Sequence, residues 1–266
     1  TETGTGASPR ALTADENASQ PAWHPDGKQF AFVRTVEGKP QIFLLSLNGG
    51  EATQLTKFKY GATRPVWSPD GQSLLFSSSI RLEDLLKDSI LNPKKQLPEW
   101  PDEKTGIKNN ASLNASVAQP DPTGNLDQIR AYLRKNAEDN KATVINKLNF
   151  QNEMDVSSDL SFNQFFILKI NNPDQPVLLT KIFYRFNQAD FTPDGKQVVL
   201  TGNMDQSQHP DRSLESMIFM VNADGSNFRQ LLGGRGESYS SPAVSPSGKW
   251  LAFQQGKTSF VSIPEL

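Results

Sequence analysis

Residues 67–76 read Trp67-Ser68-Pro69-Asp70-Gly71-Gln72-Ser73-Leu74-Leu75-Phe76. The first half is turn chemistry and the second half is strand. Proline pre-sets φ at the second position of a turn, the hydroxyl before it can bond back to the backbone, and glycine supplies the positive φ for re-entry into the ladder. The same order recurs as Trp23-His24-Pro25-Asp26-Gly27-Lys28, Phe191-Thr192-Pro193-Asp194-Gly195-Lys196 and Val244-Ser245-Pro246-Ser247-Gly248-Lys249. Each copy leads into a short apolar run, at residues 30–33, 74–76, 198–200 and 250–253, so each is a hairpin turn. A second recurring element closes the units: Leu12-Thr13, Leu55-Thr56, Leu179-Thr180 and the looser Leu231-Leu232. Before two of these closers stand Asn48-Gly49-Gly50 and Asn222-Ala223-Asp224-Gly225, which read as further hairpin connections. One unit therefore runs strand, Pro-Asp-Gly turn, strand, loop, strand, Gly turn, strand.

Pro25 to Pro69, and Pro193 to Pro246, lie close to one four-stranded propeller blade apart, roughly 40–45 residues. The expected fold is all-β: a β-propeller with about four to five blades of four-stranded antiparallel sheet. Pro69 to Pro193 is far too long for one blade and holds a helical insertion, at residues 79–142. Ser79 is placed to cap a first helix through Leu82, Leu85, Leu86 and Ile90, stopped by Pro93. After a Pro/Asn/Ser-rich stretch carrying Trp100, Asn125 is placed to cap a second helix, with Gln128 at the capping-box position. Helical periodicity turns Leu126, Ile129 and Leu133 toward the blades and Arg130, Arg134 and Lys135 toward solvent, with the Trp100 loop as the mobile part. Strand character returns at residues 144–150, 165–170 and 177–180. Residues 1–8 form a Thr/Gly/Ser linker of the kind that joins an export signal or lipid anchor to a domain, or that remains after trimming; residues 9–266 form the propeller.

Composition narrows the chemistry. With 36% apolar residues the chain can build a sizeable core, and 27 Lys plus Arg nearly balance 29 Asp plus Glu, so no net field draws in nucleic acid. The longest uninterrupted apolar run, residues 217–221, falls far short of the roughly 18 residues that cross a bilayer. Zero cysteines exclude disulfides, thiolate catalysis and Cys-based zinc sites, and two histidines leave few ways to build a metal centre. No cofactor and no metal is expected. His24 stands where other copies carry Ser or Thr and reads as a turn cap; His209, in a polar loop, reads as solvated. Asp26, Asp70 and Asp194 each belong to their own turn, and Trp23, Trp67 and Phe191 align as blade-to-blade packing residues.

Residues 67–76 (WSPDGQSLLF) and 221–231 (VNADGSNFRQL) resemble the two ends of the Ser-Pro-Asp-Gly repeat. That repeat is shared by the N-terminal propellers of prolyl oligopeptidase-family serine peptidases and by the periplasmic TolB propeller. The resemblance implies a propeller fold, peptide or protein ligands, and an extracytoplasmic or periplasmic setting for a soluble or lipid-anchored protein. The long insertion also resembles that of the acylaminoacyl-peptidase branch, and so implies a hydrolase domain of the same gene as a partner. Two departures stand against a complete enzyme. The nucleophile elbow Gly-x-Ser-x-Gly is absent, so no catalytic residue is assigned in this chain. Relatives use six to eight blades, more than the repeats seen here. Either the sequence is a fragment, or a strand at residues 9–13 completes the last blade, which after Phe253 has only residues 259–263 left as a further strand. The dipeptidyl-peptidase branch holds a free amino terminus with adjacent propeller glutamates; Glu83-Asp84 is the nearest substitute and reads as a solvated helix face.

The loops that run from each closing strand to the next blade, at residues 57–64, 181–188 and 233–241, collect on one face around the channel mouth. They supply Tyr60, Arg64, Tyr184, Arg185, Arg235 and Tyr239, a Tyr/Arg mixture typical of recognition surfaces, as candidate peptide-binding or partner-binding residues.

Overall fold

A computed structural model describes residues 17–101, 118, 121–135, 147 and 159–258. The expected strands at residues 9–13, 144–150 and 259–263 lie outside the described residues, apart from Lys147. Among the described residues, fourteen strands form four antiparallel sheets. Blade 1 comprises β1 (Ser19–Trp23), β2 (Gln29–Val36), β3 (Lys39–Ser46) and β4 (Thr53–Gln54) in that order. Blade 2 comprises β5 (Thr63–Trp67), β6 (Ser73–Arg81), β7 (Ser161–Lys169) and β8 (Asn172–Leu178), and blade 3 comprises β9 (Arg185–Phe191), β10 (Gln197–Asn203), β11 (Met217–Asn222) and β12 (Arg229–Leu232). Blade 4 is a two-stranded sheet among the described residues, β13 (Glu237–Val244) with β14 (Leu251–Lys257). The fold is the expected all-β propeller.

The turn motif does what its residue types predict. The N–H groups of Gly27, Gly71, Gly195 and Gly248 donate to the carbonyls of His24, Ser68, Thr192 and Ser245 at 2.8–2.9 Å, and the four glycines share φ values of +69° to +71°. The hydroxyls of Ser68 and Thr192 accept the N–H groups that open the next strand, from Ser73 and Gln197, and that of Ser245 accepts the N–H of Trp250, just before β14. Asp26, Asp70 and Asp194 accept the N–H groups of Lys28, Gln72 and Lys196 at 2.9–3.1 Å, so each carboxylate is used inside its own turn.

Alternation along each second strand builds the inter-blade cores, because successive side chains leave opposite faces of a sheet. Leu74 and Phe76 face blade 1, where they meet Ala31, Val33 and Ile42. Leu75 faces blade 3 and meets Val198 and Leu200, while Val199 faces blade 4 and meets Tyr239. The aromatic before the turn wedges each seam against the preceding blade: Trp67 is buried, donates from Nε1 to the Ala22 carbonyl at 3.0 Å and meets the His24 ring edge-on at 4.6 Å. Phe191 does the same duty between blades 2 and 3.

His24 caps its turn as expected and also reaches the next blade. Its Nε2–H donates to the Gly71 carbonyl at 3.2 Å, while Nδ1 lies 2.7 Å from the Asp26 carboxylate and 3.2 Å from the Asp26 N–H. A Cβ added at Gly71 would lie 2.3 Å from that Nε2, whereas one added at Gly27 meets nothing within 4 Å. Gly27→Ala is therefore expected to cost about 1 kcal/mol, the left-handed penalty alone, and Gly71→Ala about 2–3 kcal/mol because His24 must also leave its bond. Urea denaturation of both variants checks this; equal losses would show that the ring moves aside freely.

The insertion departs from the reading above at several points. Strand β6 continues through Ser79 to Arg81, so Ser79 belongs to the sheet and does not cap a helix. The first helix is α1 (Leu82–Lys87), and it ends before Pro93 because Asp88 accepts the Ile90 and Leu91 N–H groups, leaving Ile90 85% exposed. Leu85 is fully buried against blade 2, so α1 is part of the core. The second helix, α2 (Leu126–Lys135), has the expected capping box: Asn125 Oδ1 accepts from Asp127 and Gln128 N–H, and Gln128 Oε1 accepts the Asn125 N–H. Its stripe is not buried as expected, since Leu126 and Leu133 are 61% and 60% exposed; the helix is held at its N-terminus by local bonds. The side chains of Arg134 and Lys135 lie outside the described residues. Trp100, expected in a mobile loop, packs against Phe162 at 5.9 Å and meets the His209 ring edge-on at 5.8 Å, and so joins the main core. His209, expected to be solvated, is buried; its Nδ1 accepts the Asp211 N–H and opens a short 3₁₀ turn, Pro210–Arg212.

Candidate functional site

The inner strands β1, β5, β9 and β13 line the propeller axis, and the pairing of each with its neighbour is interrupted by a β-bulge. In β1, β5 and β13 the sequence cause is a pair ending in proline, three and two places before the turn-preceding wedge: Gln20-Pro21, Arg64-Pro65 and Ser241-Pro242; in β9 the irregularity falls at Asn187, with Gln188 at the matching place. Proline has no N–H for the ladder, so the pairing skips it. Gln20, Arg64 and Ser241 take left-handed φ values of 53°, 53° and 51°, a costly conformation that needs local support. The support comes from the preceding blade. Arg64 N–H donates to Gln20 Oε1 at 2.6 Å, and Ser241 N–H donates to Gln188 Oε1 at 2.8 Å. Between blades 2 and 3, Arg64 Nη1 donates to the Asn187 carbonyl at 3.0 Å. The result is a belt of bonds that ties all four blades at the channel.

Beside this belt lies a cavity of about 360 Å³ lined by Arg64, Val66, Phe165, residues 187–190, Ser241 and Pro242. It holds one carboxylate, Asp190, whose pKa is raised because protein atoms close around it on the concave wall; the Phe191 N–H opposes the shift. The side chain keeps contact with solvent.

A second cleft, of about 510 Å³, opens where residues 96–99 of the insertion pass over blade 3. Leu97, Ile182, Tyr184 and Met204 give it an apolar lining, with Lys181 and Glu99 as charges. The strap is clipped down by the Glu99 N–H, which donates to Gln206 Oε1 at 2.8 Å, while Gln206 Nε2 donates to the Phe183 carbonyl at 3.3 Å. Burial, and then the Glu99 charge, raise the Tyr184 phenol.

The six candidate recognition residues are dispersed. Arg64 lines the channel cavity, and Tyr184 lines the strap cleft. Arg185 is engaged with buried Asp211 at 2.6 Å and the Pro210 carbonyl at 3.0 Å. Tyr60 donates to Asp88 Oδ2 at 2.5 Å and so anchors α1. Tyr239 is buried between blades 3 and 4, with its hydroxyl between Glu237 and Gln255. Arg235 is exposed on its loop. Glu83 and Asp84 pair with Lys87 and Arg81 on the surface of α1. Asp190, Gln20 and Gln188 were not singled out from sequence, although aligning the four copies backward from the wedge residue exposes all three. Among the described residues no group of three His, Cys, Asp or Glu side chains could hold a metal ion, and no helix is long and apolar enough to cross a membrane.

Residues 3–81 match the TolB beta propeller domain. The chain is a β-propeller whose first 81 residues carry the likeness to that domain. Two curated peptidases share parts of it. Over 63 residues it is 38% identical to the uncharacterized peptidase YuxL of Bacillus subtilis, which is 23% of this chain and 10% of that protein. Over 84 residues it is 32% identical to dipeptidyl-peptidase 5 of Porphyromonas endodontalis, 31% of this chain and 12% of that one. The matches thus span about a tenth of each relative's length. An acylaminoacyl peptidase crystallised with Z-Gly-Gly-Phe-chloromethyl ketone superposes with a TM-score of 0.50 at 16% identity, covering 91% of this propeller and 28% of that chain. The superposition speaks for the fold, and the sequence matches relate this propeller to those of peptidases.

Proposed function

We propose that the chain is a non-catalytic propeller module that binds or gates peptides, the propeller part of a prolyl oligopeptidase-type serine peptidase whose hydrolase domain is encoded in the same gene. The observation that carries this reading is the polar cavity at the channel, framed by the bond belt, with the insertion strap clipped over blade 3 nearby. Rigid blades with a variable, partly apolar mouth suit selection of extended peptides better than chemistry, because no nucleophile elbow is present. The sequence matches to two peptidases support the same assignment. The open reading frame tests it: a serine hydrolase domain with a Gly-x-Ser-x-Gly elbow is expected downstream of Leu266. A frame that ends at Leu266 with no such domain rejects the assignment.

The match of residues 3–81 to the TolB domain favours a second reading, a stand-alone protein-interaction propeller of the cell envelope, periplasmic and either soluble or lipid-anchored. This version requires an export signal upstream of Thr1, and the same reading frame decides between the two.

A further inference from the structure

Asp190 stands at a position where the repeat has no use for charge. The residue just before the wedge is Ala22 in β1, Val66 in β5 and Ala243 in β13; only β9 carries a carboxylate there. In the first two seams this residue is a small apolar platform: Ala22 lies under Trp67 and Val66 packs in the cluster with Phe191. Asp190 pairs across the ladder with Val199, which faces blade 4 in the cluster containing Tyr239 and the partly buried Val244. The Asp190 side chain therefore leaves the sheet toward the third seam, at the channel cavity.

Among the described residues the carboxylate receives one hydrogen bond, from the Phe191 N–H at 2.8 Å. Arg64 lines the same cavity, but its guanidinium is turned onto the Asn187 carbonyl. Asp190 thus presents a solvent-accessible carboxylate, uncompensated by a neighbouring cation, at the cavity wall, in a repeat position that two sister blades fill with alanine. A divalent metal would want several oxygen ligands, and no such group of acids is present among the described residues. A single carboxylate beside Val66 and Pro242 instead matches one cationic head on an aliphatic stem.

We propose that Asp190 anchors an arginine or lysine side chain of a peptide lying in the channel cavity, with the stem along Val66 and Pro242 and the charged head on the carboxylate. This rests on the peptide-binding reading given above. It makes Asp190 a specificity-determining residue for basic peptides.

The test compares two end-blocked peptides, acetyl-Ala-Arg-Ala-amide and acetyl-Ala-Leu-Ala-amide, titrated into the ¹⁵N-labelled chain and followed by amide shifts near Asp190 and Ser241. The wild type is expected to bind the arginine peptide at least about tenfold more tightly, the scale of one charge-assisted hydrogen bond. Asp190→Ala and the isosteric Asp190→Asn are each expected to bring the arginine peptide down to the affinity of the leucine peptide. Alanine is already the residue of two other blades, so the melting temperature is expected to hold, and the asparagine variant covers the case in which it does not. An unchanged preference in both variants overturns the anchor. Equal binding of both peptides to the wild type overturns it while leaving the peptide-binding reading standing; binding of neither at millimolar concentration overturns both.

Discussion

Replacing Trp67 with alanine is expected to destabilise the chain by about 3–5 kcal/mol, the range for deleting a large aromatic from a packed interior. Trp67 is 7% exposed, and its removal would empty the seam between blades 1 and 2. The Ala22 carbonyl would lose its Nε1–H donor, and the His24 ring would lose the surface on which its edge rests. Trp23 occupies the same place in the repeat but is 55% exposed, so Trp23→Ala is expected to cost under about 1 kcal/mol. Urea denaturation of the two variants beside the wild type makes the comparison. Similar losses would contradict the assignment of Trp67 as a wedge.

The second large effect is expected at Asp88, which fastens the insertion to the blade 1–2 loop. Burial alone would raise its carboxyl. Donation from the Tyr60 hydroxyl, the Leu91 and Ile90 N–H groups and the Lys59 ammonium outweighs that burial and holds the pKa at about 2, against 3.8 for the unperturbed group. Because the folded value is depressed, the stabilisation is fully present above the unfolded pKa of 3.8 and is lost as pH falls through about 2. Its size is about 2 kcal/mol. Asp88→Ala, which leaves the hydroxyl and two N–H groups facing an empty site, is expected to cost about 2–4 kcal/mol at neutral pH. Guanidinium melts at pH 5 and pH 2 are expected to show the wild type losing about 2 kcal/mol more than Asp88→Asn over that interval. Parallel losses would mean that the carboxylate is not held by these donors.

The blades were legible because their determinants are local. A Pro-Asp-Gly turn specifies its own backbone, and the period-2 run after it specifies which side chains meet the neighbouring blade, as Leu74, Leu75 and Phe76 do. The capping box at Asn125 and Gln128 was legible for the same reason. What escaped depends on residues remote in the chain. His209 looks like any polar-loop histidine until Trp100, from the insertion, covers it. The stripe of α2 predicts burial, but periodicity says nothing about whether a partner surface exists for Leu126 and Leu133. Tyr239 and Arg185 read as surface recognition residues, yet a seam and a buried aspartate claim them. The channel belt falls between these cases: its Gln and Pro positions repeat visibly, but the bonds join backbone and side chain across blades.

That belt also bears on how such a molecule can change over generations. Gln20 reaches forward to the bulge of the next blade, and Gln188 does so again two blades later. Each coupling involves only a blade and its successor, with no reference to how many others are present. A gene segment encoding one whole blade therefore carries half of each coupling at either border, like a link with its own hook and eye. The borders are of two kinds, a glutamine that accepts the next bulge N–H at blades 1–2 and 3–4 and an arginine that donates to a carbonyl at blades 2–3, so a duplicated or deleted segment rejoins cleanly only where like border meets like.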